Sequence, residues 1–329
     1  MRNSKAGSSS LLSSQFSILH SLFSLVRVFL TPTAAADSYA GFLLATALVA
    51  GPASTVSTVS APRLLGVLVI SVLVYWLGMA ANDLFDRKKD VLGAPTRPLP
   101  SGKVTPRSAT TLCVLLGGAS VALGVLLGIP YLVLALIGTA LLYDAGGKNI
   151  AVVGNLLMGL CRSGNFLLGA AASLGTWEAL NHGVLVLGAA ILGCYIFCVT
   201  ASSKLEEEEF DFRRLCVRAL PLFVLPVLFV LLAPRQPVVW VNSSLLLILL
   251  MDALRASSLA AASPHHGVEM FVRKALAGIF FVDAGILLAF LPDETPLSRV
   301  AAAVLGLYLL AAIAWVWKRR WIRAGSSGS

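Results

Sequence analysis

Asn82-Asp83-Leu84-Phe85-Asp86-Arg87-Lys88-Lys89-Asp90 follows a long apolar run from Leu64 to Ala81. An asparagine and three carboxylates recur at 82, 83, 86 and 90, which is the rhythm of one helical face. Three like charges on one face repel each other unless a cation sits among them. Hard divalent cations favour such oxygen donors, and Mg²⁺ commonly shares a few carboxylates with phosphate oxygens and water. Arg87, Lys88 and Lys89 place positive charge beside the acids, as a bound polyphosphate requires. The competing reading is a solvated, charged helix end that caps a membrane span.

The surroundings of this stretch set the fold class. The chain is 57% hydrophobic and 12% charged, with a mean hydropathy of +0.86. Soluble domains carry about 25% charged residues, so the composition predicts an integral membrane protein. Apolar runs recur at lengths that cross ~30 Å of hydrocarbon as helices. Strand-like alternation is absent, which argues against a barrel. Spans are expected at about 33–52, 63–84, 108–128, 130–144, 150–174, 182–203, 217–233, 237–256, 270–291 and 297–318. Residues 1–15 are polar and serine-rich and are expected to be disordered, without the cleavage pattern of a secretory signal. Residues 16–32 carry Phe16, Leu19, Leu22, Phe23 and Val26 at helical spacing, which predicts an interfacial amphipathic helix. A membrane domain over 33–320 follows, and 321–329 ends in a Gly-Ser linker with no functional role.

Charge distribution orients the bundle. Of the 25 Lys and Arg residues, 21 fall on the side of the N-terminus, and only Arg63, Arg235 and Arg299 on the other. Arg162 lies within a span. The positive-inside rule then puts both termini and the acidic stretch in the cytoplasm. The net charge of +9 is accounted for by this asymmetry, so nucleic-acid binding is not implied. Five cysteines (Cys113, Cys161, Cys194, Cys198 and Cys216) lie in or beside apolar runs, and read as free thiols rather than a disulfide framework.

After the acidic face comes Gly93-Ala94-Pro95-Thr96-Arg97-Pro98-Leu99-Pro100-Ser101-Gly102-Lys103-Val104. Prolines and glycines stiffen and turn this loop, while Arg97 and Lys103 are suited to anionic oxygens. Together, Asn-Asp-x-x-Asp-x-x-x-Asp and Arg-Pro-Leu-Pro-Ser-Gly closely resemble the first signature of the UbiA family of intramembrane prenyltransferases. The likeness runs from about Val26 to Leu291. Through Leu142-Tyr143-Asp144-Ala145-Gly146-Gly147-Lys148 and Met158-Gly159-Leu160-Cys161-Arg162-Ser163-Gly164-Asn165 the chain is also similar to the EboC-type branch.

The resemblance implies an all-α polytopic bundle: a core of nine transmembrane helices, here with about one extra C-terminal span. It implies Mg²⁺-dependent transfer of a prenyl group from a prenyl diphosphate to an acceptor, aromatic or another small molecule. The metal ligands it points to are Asn82, Asp83, Asp86 and Asp90. A second acidic motif normally follows span six. Here that loop reads Ser202-Ser203-Lys204-Leu205-Glu206-Glu207-Glu208-Glu209-Phe210-Asp211, and Glu207 and Asp211 keep the four-residue spacing. The other reading of the glutamates is a solvated acidic helix start. The family places a Tyr and a Lys after span four, matched approximately by Tyr143 and Lys148. Tyr143 is equally at home as an interfacial aromatic. The resemblance thus gives Asp83, Asp86, Tyr143 and Lys148 catalytic roles. Asn82, Arg87, Lys88, Arg97, Lys148 and Lys204 would bind substrate.

Arg162 and Asn165 sit inside span five. An intramembrane Arg costs at least ~2.5–3.5 kcal/mol to insert, so it needs a polar partner. Diphosphate or the first motif would serve. The alternative is a structural ion pair with Asp37 or Asp283, the lone acids of spans one and nine. Glycines and alanines along span five (Gly154, Gly159, Gly164, Gly169, Ala170, Ala171) predict close helix packing. Two other functions use the same residues: an intramembrane terpene cyclase, and a non-enzymatic carrier of isoprenoid lipid. The carrier has no need of a four-residue metal face.

Overall fold

A computed structural model describes residues 21–50, 60–206, 211–233, 236–259, 264–292, 295 and 297–326. Every regular element among the described residues is helical: α1 (Thr31–Ala50), α2 (Ala61–Gly93), α3 (Pro106–Leu127), α4 (Pro130–Asp144), α5 (Ala151–Leu174), the short α6 (Thr176–Asn181), α7 (Gly183–Ser203), α8 (Phe212–Leu232), α9 (Pro237–Leu259), α10 (Pro264–Ala277), α11 (Ile279–Phe290) and α12 (Leu297–Ser326). Prolines open α2, α3 and α4 at their first turns, where the missing N–H has no partner to lose. Gly128 ends α3 at φ 78° and turns the chain directly into α4.

Six of these helices are long and apolar enough to cross a bilayer, among them α2, α3, α7, α8 and α9. Their outward faces are apolar, with Val114, Leu115, Val125 and Leu126 of α3 all exposed. An apolar surface of that extent is covered by lipid in a stable protein. The chain is an integral, multi-pass membrane protein.

Helix α1 packs against α5, α2, α11 and α12. The expected close packing along α5 is present: a methyl on Gly169 would collide with the Ser38 carbonyl, and one on Gly41 with the Phe166 carbonyl. Only glycine lets the two backbones approach this far.

Two expectations need correction. The expected single span over 270–291 is broken. Helix α10 stops at Ala277 and α11 starts at Ile279. The Tyr195 hydroxyl donates to the Ala275 carbonyl at 2.6 Å, so a side chain interrupts the ladder at Gly278. The expected amphipathic helix over 16–32 is interrupted as well. Residues 21–25 are helical, Arg27 turns to φ 49°, and a single 3-10 turn (Val28–Leu30) leads into α1. Leu25 is fully buried in a small core with Ala80, Leu99 and Val104, so this segment folds over the end of α2. Residues 16–20 lie outside the described residues.

Candidate active site

Helix α2 has 33 residues, about 50 Å at 1.5 Å per residue. That exceeds the ~30 Å of hydrocarbon, so its last turns emerge and carry the acidic stretch. Asp83 and Asp90 are buried, Asn82 and Asp86 are half-buried, and Arg87, Lys88 and Lys89 are exposed. The acidic face therefore looks inward. Arg87 and Lys88, expected to bind substrate, lie on the exposed face of the helix.

The loop after α2 folds back on this face. Buried Leu99 and Val104 anchor it, and Val104 N–H donates to the Pro98 carbonyl at 3.0 Å. Arg97 then donates to Asp90 at 2.7 Å and stands 3.9 Å from Asp83. Arg27 approaches from the N-terminal segment and donates to Asp83 at 3.2 Å. Asp83, Arg27 and Arg97 line a cavity of about 280 Å³, so these contacts are open to a ligand.

The opposite wall comes from α4. Tyr143 and Asp144 occupy its last turn, and a 3-10 turn (Gly147–Asn149) brings Lys148 back towards α2. Lys148 Nζ donates to Asp86 at 2.7 Å and lies 3.7 Å from Asp144. Asn82 Nδ2 donates to Asp144 at 2.7 Å. Lys204, at the end of α7, reaches the Lys148 and Ile150 carbonyls at 3.5 Å, bracing the turn that carries Lys148.

Four carboxylates and an amide thus meet Arg27, Arg97 and Lys148. The donors are all oxygen, which suits a hard divalent cation. In this arrangement each carboxylate faces a basic side chain, and among the described residues no three acidic, His or Cys groups converge as a ligand set.

The remaining expected residues are placed elsewhere. Glu207 lies outside the described residues. Asp211 caps α8: its carboxylate accepts from Arg213 N–H at 2.8 Å, Arg214 lies 3.7 Å away, and the side chain is 47% exposed. Asp211 is thus engaged by its own helix terminus. Arg162 and Asn165 also leave the site. Arg162 donates to Asp37 and to the Thr33 carbonyl, both at 2.7 Å. Asn165 donates to the Ala34 carbonyl at 2.7 Å and to Asp37 at 3.2 Å. The structural alternative holds for this pair: Asp37 is fully buried and takes the nearest cation.

Residues 43–272 match the model of the UbiA prenyltransferase family. This chain belongs to that family. Among curated relatives, it is 34% identical over 160 residues to the digeranylgeranylglyceryl phosphate synthase of Natronomonas pharaonis, covering 47% of this chain and 55% of the synthase. The chain spans about half the length of the first such relatives it matches. Among solved structures, a UbiA homolog from Aeropyrum pernix K1 shares the fold with a TM-score of 0.60 at 17% identity, over 78% of this chain and 97% of that one. A UbiA homolog from Archaeoglobus fulgidus, solved bound to GPP and Mg²⁺, superposes with a TM-score of 0.52 at 15% identity, over 90% and 98% of the chains.

Two residues of this UbiA site escape sequence reasoning. Arg27 is the one charged residue between Lys5 and Asp37, and that isolation is a signal. Asp144 is the single charge in α4 and sits at its C-terminus. The helix dipole disfavours an acid there, so its presence calls for a nearby donor or cation. Both signals are readable in the sequence once the end of α2 is recognised as a site.

Proposed function

We propose that this chain transfers a prenyl group from a prenyl diphosphate to a small-molecule acceptor within the membrane, using Mg²⁺. The observation that carries this reading is that Asp83, Asp86 and Asp90, on one face at the emerging end of a spanning helix, are each engaged by Arg27, Arg97 or Lys148. Family membership and the synthase relatives support it, as does the GPP- and Mg²⁺-bound homolog of the same fold. The Lys/Arg asymmetry supports a cytoplasmic placement of the site and both termini, the side where soluble diphosphates and Mg²⁺ are found.

Asn82, Asp83, Asp86 and Asp90 would hold Mg²⁺, which when bound stabilises negative charge on the departing diphosphate. Arg27, Arg97 and Lys148 now donate to carboxylates. With substrate present, the same N–H groups are placed to turn onto phosphate oxygens, trading one anion for another. The C–O bond breaks with its electron pair on diphosphate, leaving an allylic cation. Tyr143, half-buried in the last turn of α4 beside Asp144, would offer its ring face to that cation. The apolar bundle excludes water until the acceptor's nucleophile adds and loses its proton.

The name of the synthase relatives favours a glyceryl phosphate acceptor as one to test beside aromatic acids. Purified protein with Mg²⁺ and prenyl diphosphates of several lengths, with and without each acceptor, is analysed by mass spectrometry. A prenylated acceptor formed together with diphosphate supports transfer. A hydrocarbon or terpene alcohol made without acceptor identifies a cyclase. No turnover, with Asp83→Ala binding diphosphate as well as wild type, refutes both enzymatic readings.

A further inference from the structure

Asp144 falls between Tyr143 and Lys148 and is no part of the acidic signature, yet it lies at the centre of the assembled site. Its side chain is 3% exposed, and it closes α4 where the helix dipole offers negative charge no support. A carboxylate buried there needs donors, and it has them. Asn82 Nδ2 donates to Asp144 Oδ1 at 2.7 Å, and Lys148 Nζ approaches the same oxygen at 3.7 Å while bonded to Asp86 at 2.7 Å.

The contact with Asn82 has a chemical consequence. Asparagine is the one ligand candidate in the stretch with two different ends. Its oxygen suits a hard cation, and its NH₂ group repels one. A carboxylate accepts only, so Asp144 can bind only the nitrogen end of the amide. Pinning Nδ2 on Asp144 leaves the oxygen end of Asn82 for the acidic face. Lys148, meanwhile, is held between Asp86 and Asp144, both within reach of one ammonium group.

We propose that Asp144 is a positioning residue for the cation–diphosphate site. It fixes the amide of Asn82 with its oxygen towards the metal, and steadies Lys148 for transfer to phosphate. This inference rests on the reading of the site as a Mg²⁺–diphosphate site. It predicts that an amide at 144, which can bind either end of Asn82, loosens cation binding without altering the ligands themselves. Removing an outer partner of this type costs on the order of 10–100-fold in metal affinity.

The test uses the full chain in detergent and a non-reactive probe, geranyl S-thiolodiphosphate, with binding followed by calorimetry as Mg²⁺ is titrated. Asp144→Asn is expected to raise the Mg²⁺ concentration for half-maximal probe binding by about 10-fold or more, with thermal unfolding in the absence of Mg²⁺ near that of wild type. The swapped pair, Asn82→Asp with Asp144→Asn, restores the hydrogen bond with its direction reversed and puts an oxygen towards the metal again. It is expected to bring the midpoint most of the way back. An Asp144→Asn midpoint equal to that of wild type overturns the proposal, and so does a swapped pair no better than Asp144→Asn. If wild type itself binds the probe with no dependence on Mg²⁺, the functional reading fails, and this inference with it. If wild type shows the dependence and the variants do not shift it, only the role of Asp144 is lost.

Discussion

Two clusters built from the same kinds of side chain occupy this bundle. At the end of α2 and α4, aspartates and an asparagine meet Arg27, Arg97 and Lys148. Inside α1 and α5, Asp37 and Asn165 meet Arg162, with Asp283 of α11 beside them. Their solvation differs. Asp83, Asp90 and Asp37 are all buried, but Arg97 is 39% exposed and Arg27 31%, whereas Arg162 is 12% exposed and its partner Asp37 has no exposed surface. An ion pair open to water exchanges partners at little cost. One sealed in an apolar interior does not, because separating it leaves an uncompensated charge. The first arrangement suits a site whose cations must pass from carboxylate to phosphate. The second suits a strut that ties α1 to α5.

The sharpest way to break this contrast is to remove one partner from each cluster. Arg162→Ala strands the Asp37 carboxylate in the bundle interior and is expected to destabilise the protein by about 3–5 kcal/mol. Thermal unfolding in detergent and yield of folded protein would show it. A folded Arg162→Ala protein whose main defect is diphosphate binding would move this arginine into the active site and undo the comparison. Asp83→Ala should show the reverse profile. Its partners Arg27 and Arg97 are partly exposed and can return to water, so stability should change little. Turnover should fall on the order of 10²–10³-fold, as for other groups that stabilise developing charge. Lys148→Ala comes next. It removes one charge-assisted donor and should cost about 10–100-fold in diphosphate affinity at fixed Mg²⁺, measured by competition with a prenyl diphosphate analogue. An unchanged affinity would restrict Lys148 to bracing Asp86.

Much of the fold was legible because hydrophobic runs of membrane length have few other uses. The acidic face of α2 was legible for a similar reason: period and residue type coincide at 82, 83, 86 and 90. What the sequence concealed depends on tertiary neighbours. At the break at Gly278 the Ala275 carbonyl accepts from the Tyr195 hydroxyl of another helix. Whether Arg162 serves substrate or structure depends on how α1 and α5 are rotated, and the glycine contacts at Gly41 and Gly169 set that rotation. Arg27 was passed over because it lies in no recognisable motif, and Asp144 because the Leu142–Lys148 stretch draws attention to Tyr143 and Lys148; yet Arg27 is the one charge between Lys5 and Asp37, and Asp144 the one charge of α4. Isolation proved a better guide to the site than clustering: the consecutive basic residues Arg87 and Lys88 lie on the exposed face.

Asp211 gives the smallest effect and the most direct check on the second half of the clamp. By spacing it belongs with Glu207 as a metal ligand, while by geometry it is the N-cap of α8, accepting from Arg213 N–H. The two roles separate cleanly on substitution. Loss of a cap costs about 0.5–2 kcal/mol, and a serine or asparagine, both good caps, recovers most of it. Loss of a metal ligand is not recovered by serine and shows in the Mg²⁺ titration. Asp211→Ala is therefore expected to lower the unfolding midpoint slightly and Asp211→Ser to restore it, with the Mg²⁺ dependence of substrate binding the same in both. If instead both substitutions raise the Mg²⁺ requirement by an order of magnitude, the carboxylate must leave its cap when substrate binds. The site would then close by drawing the start of α8 towards α2, and the clamp would have two acidic halves after all.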